Sequence, residues 1–312
     1  MKSKLRFATS TLAVTALLIT FTLTQPFLAS DGSTQDGQAQ ASTIDDAVQP
    51  QPAAEKPVQY VTFKVAGRQS LAELKSRFGS EGYETILKIN RIDQEHVRFG
   101  SELLIPAKQA DLLAVSPFPR EIESVSDIPK LVLVSRKVQA FGAYESGKLV
   151  FWGPTSTGKK STRTPAGLFH TNWRAKSKRS TVNPNWILPW AFNLDLKEGI
   201  AFHQYDLPGY PASHGCVRLL ESDAKWVFNW ADQWILSKPE NKALAYGTPV
   251  IIFDEYAYGQ APPWKRLTAD PKSASVSIDE VEKLLTKHLP LIEARSQERE
   301  IVLATTAQVH AR

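Results

Sequence analysis

Cys216 is the only cysteine of a 312-residue chain, with His214 two residues before it and His203 thirteen before it. An unperturbed thiol titrates at roughly 8.5, so only a few per cent is thiolate at neutral pH. A neighbouring imidazole can take that proton and hold the thiolate as an ion pair. A thiol that attacks a carbonyl also needs donors for the oxyanion it creates. Gly215 lets the backbone turn tightly, so that successive N–H groups can point at one oxygen. Pro208, Gly209, Tyr210 and Pro211 form a rigid loop between the two histidines. Cysteine, two histidines and a glycine turn in one segment make a complete candidate thiol site.

Three other readings compete. A cysteine beside glycine is often a small buried hydrophobe, but two flanking histidines favour chemistry. Zinc on His203, His214 and Cys216 lacks a fourth ligand nearby, so neither a metal nor another cofactor is expected. A cysteine protease of papain type would carry a local signature that this sequence does not have.

Composition narrows the rest. One cysteine excludes an intrachain disulfide framework and a thiolate-rich zinc site. With 42% hydrophobic and 22% charged residues, the chain is ordinary for a globular protein and not wholesale disordered. Lys2, Lys4 and Arg6 precede an apolar run from Phe7 to Leu23, followed by Ala29-Ser30. This describes a secretory signal over 1–30, with an uncleaved anchor as the rival and the only expected membrane contact. The protein is therefore expected to be exported, to a periplasm or cell wall. Residues 31–57, rich in Gln, Ala, Ser, Asp and Pro, read as a flexible linker.

The elements that must position the thiol follow from periodicity. Over 58–107, Val61, Phe63 and Val65 alternate as in a strand. Ser70 stands at an N-cap position before Leu71, Leu74 and Phe78 at helical spacing. Tyr83, Ile86, Leu87 and Ile89 predict a second short helix ending at Asn90, and Arg98-Phe99-Gly100 turns into Leu103, Leu104, Ile105 and Pro106. The outline is a small β-α-α-β, α+β domain. From Pro129 the pattern is mostly β, with turns at Glu145-Ser146-Gly147 and Thr157-Gly158 and a buried strand over Val250–Phe253. Trp226, Val227, Trp230 and Trp234 predict a helix over Ser222–Leu236 packed on the sheet. Residues 257–312 form a C-terminal extension. Ser277-Ile278-Asp279-Glu280 is a capping-box pattern, and Ile278, Val281, Leu284, Leu285 and Leu289 make one face that stops at Pro290, before a loose tail.

Charge is uneven. Net charge is +5, and Lys130 to Arg179 holds eleven Lys or Arg against one acid, Glu145. Nucleic acid would suit such a patch, but export makes it an improper partner. Acidic wall polymers or stem-peptide carboxylates fit the compartment, and a solvated face with no partner is the plain reading.

Ser213-His214-Gly215-Cys216-Val217-Arg218-Leu219, with His203 and Pro208-Gly209-Tyr210-Pro211-Ala212 before it, resembles the active-site signature of YkuD-type L,D-transpeptidases. Ser156-Thr157-Gly158-Lys159 and Thr164-Pro165-Ala166-Gly167-Leu168-Phe169 resemble that family's other recurrent blocks. Residues 58–107 resemble a LysM module, which binds wall glycan, although Ala66-Gly67-Arg68-Gln69 departs from the usual opening. The resemblance implies a YkuD-like β-sandwich with a packed helix over 129–256, acting on peptidoglycan stem peptides. It implies Cys216 as nucleophile, His203 as general base oriented by the Gln204 backbone carbonyl, and the Gly215 and Cys216 N–H groups as oxyanion donors. His214, Arg218, Ser213 and Tyr210 would shape the substrate pocket. The acceptor could be a second stem amine, giving a 3-3 cross-link, an amine on a wall-attached protein, or water, giving a carboxypeptidase or amide hydrolase. Gln204 stands where the family usually has Gly or Ser, and a non-catalytic wall-binding protein is the alternative it raises.

Overall fold

The computed structural model describes residues 57–310, so the expected signal and nearly all of the linker lie outside the described residues. Leu131-Val132-Leu133-Val134-Ser135 is buried at every position, as a strand must be when both sheet faces are covered. It is central to a sheet that separates two cores.

The chain runs β1 (Tyr60–Lys64), α1 (Arg68–Asn90), β2 (Glu102–Pro106), β3 (Leu131–Ser135), β4 (Ala140–Glu145), β5 (Lys148–Pro154), β6 (Gly167–His170), β7 (Arg174–Arg179) and β8 (Ile187–Asn193). It continues through β9 (Ala201–Gln204), β10 (Val217–Leu219), α2 (Glu221–Trp230), β11 (Ile235–Leu236), β12 (Ala243–Ala245), β13 (Pro249–Phe253) and α3 (Ile278–His310). One sheet has the order β5-β4-β3-β13-β6 and a second β10-β9-β8-β7; β1-β2 and β11-β12 form two small sheets.

Alternation along the central strands decides which core each side chain joins. Val132, Val134, Phe141, Val250 and Ile252 meet Phe192, Phe202, Val217 and Leu219 of the second sheet, with Ala224 and Val227 of α2. This makes two facing sheets with a packed helix. Leu131, Leu133, Tyr144, Trp152 and Ile251 face the other way and pack with Ile89, Leu104, Trp264, Val281, Leu285 and Ile292. The β-α-α-β region also has its own cluster around Leu74, Phe78, Ile86 and Leu103. The described residues, 57–310, fall in one compact unit.

Several local expectations need correction. Ser70 is not the N-cap: α1 begins earlier, with Gly67 in that place, and the Ser70 hydroxyl accepts from the Gly67 N–H at 3.1 Å. The expected pair of helices is present: α1 consists of two helices that meet at a kink at Gly79 (φ 69°). Val61 is 43% exposed, because the two-stranded sheet β1-β2 leaves that position uncovered. Thr157-Gly158 is not a turn but extended chain, bridged to the Cys216 segment. α2 ends at Trp230, before Trp234, since Asp232 is drawn off to Lys130 (3.2 Å) and its carbonyl takes the Thr171 hydroxyl. The capping box at α3 forms, with Glu280 N–H on Ser277 Oγ (3.1 Å) and Ser277 N–H on Glu280 Oε2 (2.9 Å). Ile278 itself is 41% exposed, outside the buried face. The helix does not stop at Pro290 and no loose tail follows it before His310. Buried Ile292 and the contacts of Arg295 and Arg299 hold the part beyond the proline.

No described helix is long and apolar enough to cross a membrane.

Candidate active site

Three separate stretches of sequence meet at Cys216. Residues 156–158 lie extended between two arms of the Cys216 segment. Ser156 and Arg218 exchange both backbone bonds at 3.1 Å, and Ser213 N–H donates to the Thr157 carbonyl while Lys159 N–H donates to the Ser213 carbonyl, each at 3.0 Å. Thr164 ties in the third stretch: its hydroxyl accepts from Gly158 N–H and donates to the Gly215 carbonyl, both at 2.8 Å. Gly158 has no alternative here, because a Cβ would lie 2.0 Å from the Thr162 carbonyl oxygen. The chain then turns at Gly215, whose φ of 117° is open only to glycine.

β9 and β10 run parallel, with Phe202 opposite Val217 and His203 opposite Arg218. That register brings His203, Cys216 and Arg218 into one open cleft, together with Ser213, His214, Tyr205, Trp186, Leu188, Ser180 and Val182.

His203 is buried, and its Nδ1 lies 2.9 Å from the Gln204 carbonyl oxygen. A carbonyl only accepts, so Nδ1 carries the hydrogen and Nε2 keeps its lone pair. Burial lowers the pKa of this imidazole to about 4, a shift opposed by the Gln204 bond and assisted by Arg218. The ring is neutral at pH 7.

Cys216 is half-buried, and its thiol donates to the Gly199 carbonyl at 3.6 Å. Burial pushes the thiol up, while the Ala201 N–H and Arg218 pull it down. The resting pair is therefore a neutral thiol and a neutral imidazole rather than an ion pair.

Around them, Ser213 Oγ donates to the Cys216 carbonyl (2.5 Å) and accepts from Gly215 N–H (3.1 Å). The Gly215 amide is thus already engaged inside the loop, and an oxyanion would have to displace Ser213 to use it. His214 is exposed; its Nε2 accepts from Lys159 Nζ at 3.1 Å and its ring lies 4.9 Å from Trp186. Its pKa is lowered by desolvation first, then by Lys159 and Arg218. Arg218 stacks over Tyr205 at 4.5 Å and donates to the Asp206 carbonyl at 3.3 Å. Tyr210, 56% exposed, does not line the cleft; its backbone carbonyl accepts from Ser156 Oγ at 2.8 Å.

Sequence reading missed four contributors. Tyr205 sits edge-on to His203 at 6.0 Å and beneath Arg218, and Trp186 closes the cleft against His214. Both are aromatics beside polar motifs, a signal open to notice. The Gly199 carbonyl and the Ala201 amide act through main chain, which leaves no mark in residue type. Among the described residues no group of three or more His, Cys, Asp or Glu is placed to hold a metal ion.

Residues 129–252 match the family model described as YkuD, the L,D-transpeptidase catalytic domain. No curated protein matches the chain. Among solved structures, it is similar to an L,D-transpeptidase from Stackebrandtia nassauensis (24% identity over 41% of this chain and 57% of that one, TM-score 0.34). It is similar also to one from Mycobacterium smegmatis (18%, 40% and 59%, TM-score 0.32). A third, from Xylanimonas cellulosilytica, shares 23% identity over 65% of this chain and 100% of that one, with a TM-score of 0.39. The chain thus spans less than two thirds of the length of the first two.

Proposed function

We propose that the protein is a peptidoglycan L,D-transpeptidase in which Cys216 forms an acyl-enzyme with a tetrapeptide stem. The observation that carries this reading is His203. It is buried, neutral and locked by the Gln204 carbonyl in the tautomer that leaves Nε2 basic, in the same cleft as the lone thiol.

The thiol proton leaves its Gly199 acceptor for His203 Nε2 as sulfur adds to the carbonyl carbon before the terminal D-alanine. Low His203 and raised Cys216 pKa values favour transfer during attack over a preformed thiolate. The Cys216 N–H is the first candidate donor to the oxyanion, with Gly215 joining if Ser213 yields. The intermediate collapses to a thioester, and the imidazolium gives its proton to the departing amine of D-alanine. An acceptor amine then adds, losing its proton to Nε2. The new amide bond forms as the thioester breaks, and the proton returns to sulfur. Arg218 and Lys159 supply positive charge at the rim for stem carboxylates, and Trp186, Val182 and Leu188 give an apolar wall.

Incubation of the full chain with isolated sacculi, followed by mass analysis of muropeptides, tests this. Dimers and free D-alanine are expected, with a carbapenem adduct at Cys216. Dimer formation by a Cys216→Ala protein would overturn it. Tripeptide monomers without dimers would assign water as acceptor, and an inert thiol with intact sacculus binding would assign wall binding alone. The LysM-like reading of 58–107 is proposed for glycan contact, carried by the 61% exposed Phe99 in its turn. Phe99→Ala should weaken sacculus pull-down, and unchanged binding would remove glycan contact from this region.

A further inference from the structure

The segment that carries Cys216 is held on both sides by the end of α1 and the turn that follows it. On its amino side, Ile92 makes an antiparallel bridge with Pro208. Asp93 N–H donates to the Leu207 carbonyl at 3.1 Å, and Leu207 N–H returns a bond to Asp93 Oδ2 at 2.8 Å. The other carboxylate oxygen accepts from the His96 N–H at 3.0 Å and faces its Nδ1 at 2.7 Å, so the side chain is fixed at both oxygens.

On the carboxyl side, Lys88 Nζ reaches Asp223 Oδ1, in the first turn of α2, at 2.6 Å, with the two side chains 4% and 0% exposed. Ser222 Oγ donates to Glu84 Oε1 at 2.7 Å beside it. Between these two grips, buried Arg91 fastens α1 to the main sheet region. It donates to the Val138 carbonyl at 2.9 Å and lies between the rings of Trp152 and Trp264, 5.3 Å from each.

β10 is only three residues long, and a loop without anchors keeps the conformational freedom that folding must otherwise remove. A nucleophile displaced by about 1 Å loses on the order of a hundredfold in rate. We infer that the end of α1 and the turn after it are a positioning device for the nucleophile: Asp93 and Lys88 clamp the chain before and after Cys216 and set the reactivity of its thiol. The inference rests on Cys216 as the nucleophile, and makes the β-α-α-β region part of the active site as well as a candidate glycan contact.

Asp93 is the variant of choice, since its clamp lies outside the main cores. Full-chain Asp93→Ala is compared with Asp93→Asn, which keeps an acceptor for the Leu207 N–H. For Asp93→Ala, kcat should fall about tenfold or more with KM within about twofold. The pH midpoint of Cys216 alkylation by iodoacetamide should drop toward the ordinary value of roughly 8.5 as the thiol loses its enclosed setting. Amide exchange should rise across 205–216 and stay unchanged in β3 and β4, and Asp93→Asn should restore most of kcat. Unchanged kcat, midpoint and exchange in Asp93→Ala would overturn the clamp, as would a loss confined to KM. If the wild-type chain shows no acyl transfer but Asp93→Ala still shifts the midpoint, the clamp stands and the proposed reaction fails.

Discussion

His203 can accept a proton only at Nε2, because its Nδ1 points at a carbonyl oxygen 2.9 Å away. Two predictions belong to this contact. The carbonyl is main chain, so Gln204→Ala should leave kcat/KM within about twofold, as most substitutions away from a contacting side chain do. A loss of a hundredfold would show that the Gln204 side chain takes part. The second concerns pH. An imidazolium cannot take the thiol proton, and burial holds the His203 pKa near 4. The acid limb of kcat/KM should therefore lie near pH 4 rather than near the ordinary 6.5, and a limb at 6 to 7 in the pH–rate profile would place a different group in control. At this scale the site was legible where chemistry is written in residue type: Cys216, His203, His214 and Arg218 share one cleft. Asp93 was not, because nothing in an aspartate more than a hundred positions before Leu207 announces that its carboxylate accepts that residue's N–H.

α3 shows what periodicity reads well and what it cannot. The apolar face Val281, Leu284, Leu285 is visible in sequence and packs on the main core. Pro290 removes one helical donor and crowds the preceding turn, a local cost of about 3 kcal/mol. The helix continues because burial of Ile292 and the contacts of Arg295 with His170 and of Arg299 with two carbonyls offset that cost. Those partners lie far off in sequence, on β6 and in the loops before β11 and after β12, so no local pattern contains them. The same holds for α2, ended by tertiary contacts at Asp232, and for Thr157-Gly158, a turn by composition but extended chain by its pairing with Ser213. If the distal half of α3 is held this way, Ile292→Ala should cost about 2–4 kcal/mol in urea unfolding. Ile301→Ala, at a position 66% exposed, should stay within about 0.5 kcal/mol. Equal effects at the two positions would mean that α3 does not dock beyond Pro290.

Across the whole molecule, the buried Lys88–Asp223 pair joins the β-α-α-β region to the region that carries the thiol, and its energetics depend on pH. Burial raises the Asp223 pKa to about 6 even with Lys88 beside it, and its Oδ2 has no partner. Its folded pKa lies above the unfolded value of 3.8, so this group's contribution is full below about 4 and is lost as pH rises through about 6. His203 and His170, lowered to about 4 and about 3, act in the opposite sense: their contribution is full above about 6.5 and is lost as pH falls toward those values. Removing the cation alone should expose the Asp223 part. Lys88→Met leaves an uncompensated buried carboxylate at neutral pH, a loss of about 3–5 kcal/mol. The gap to wild type should shrink between about pH 7.5 and about pH 5, as Asp223 takes up its proton. Replacing both partners, Lys88→Met with Asp223→Leu, should recover most of the loss, since an apolar pair has no charge to desolvate. Urea unfolding of the three proteins at the two pH values decides the matter: a gap that does not change with pH would mean that Asp223 is not the group left charged.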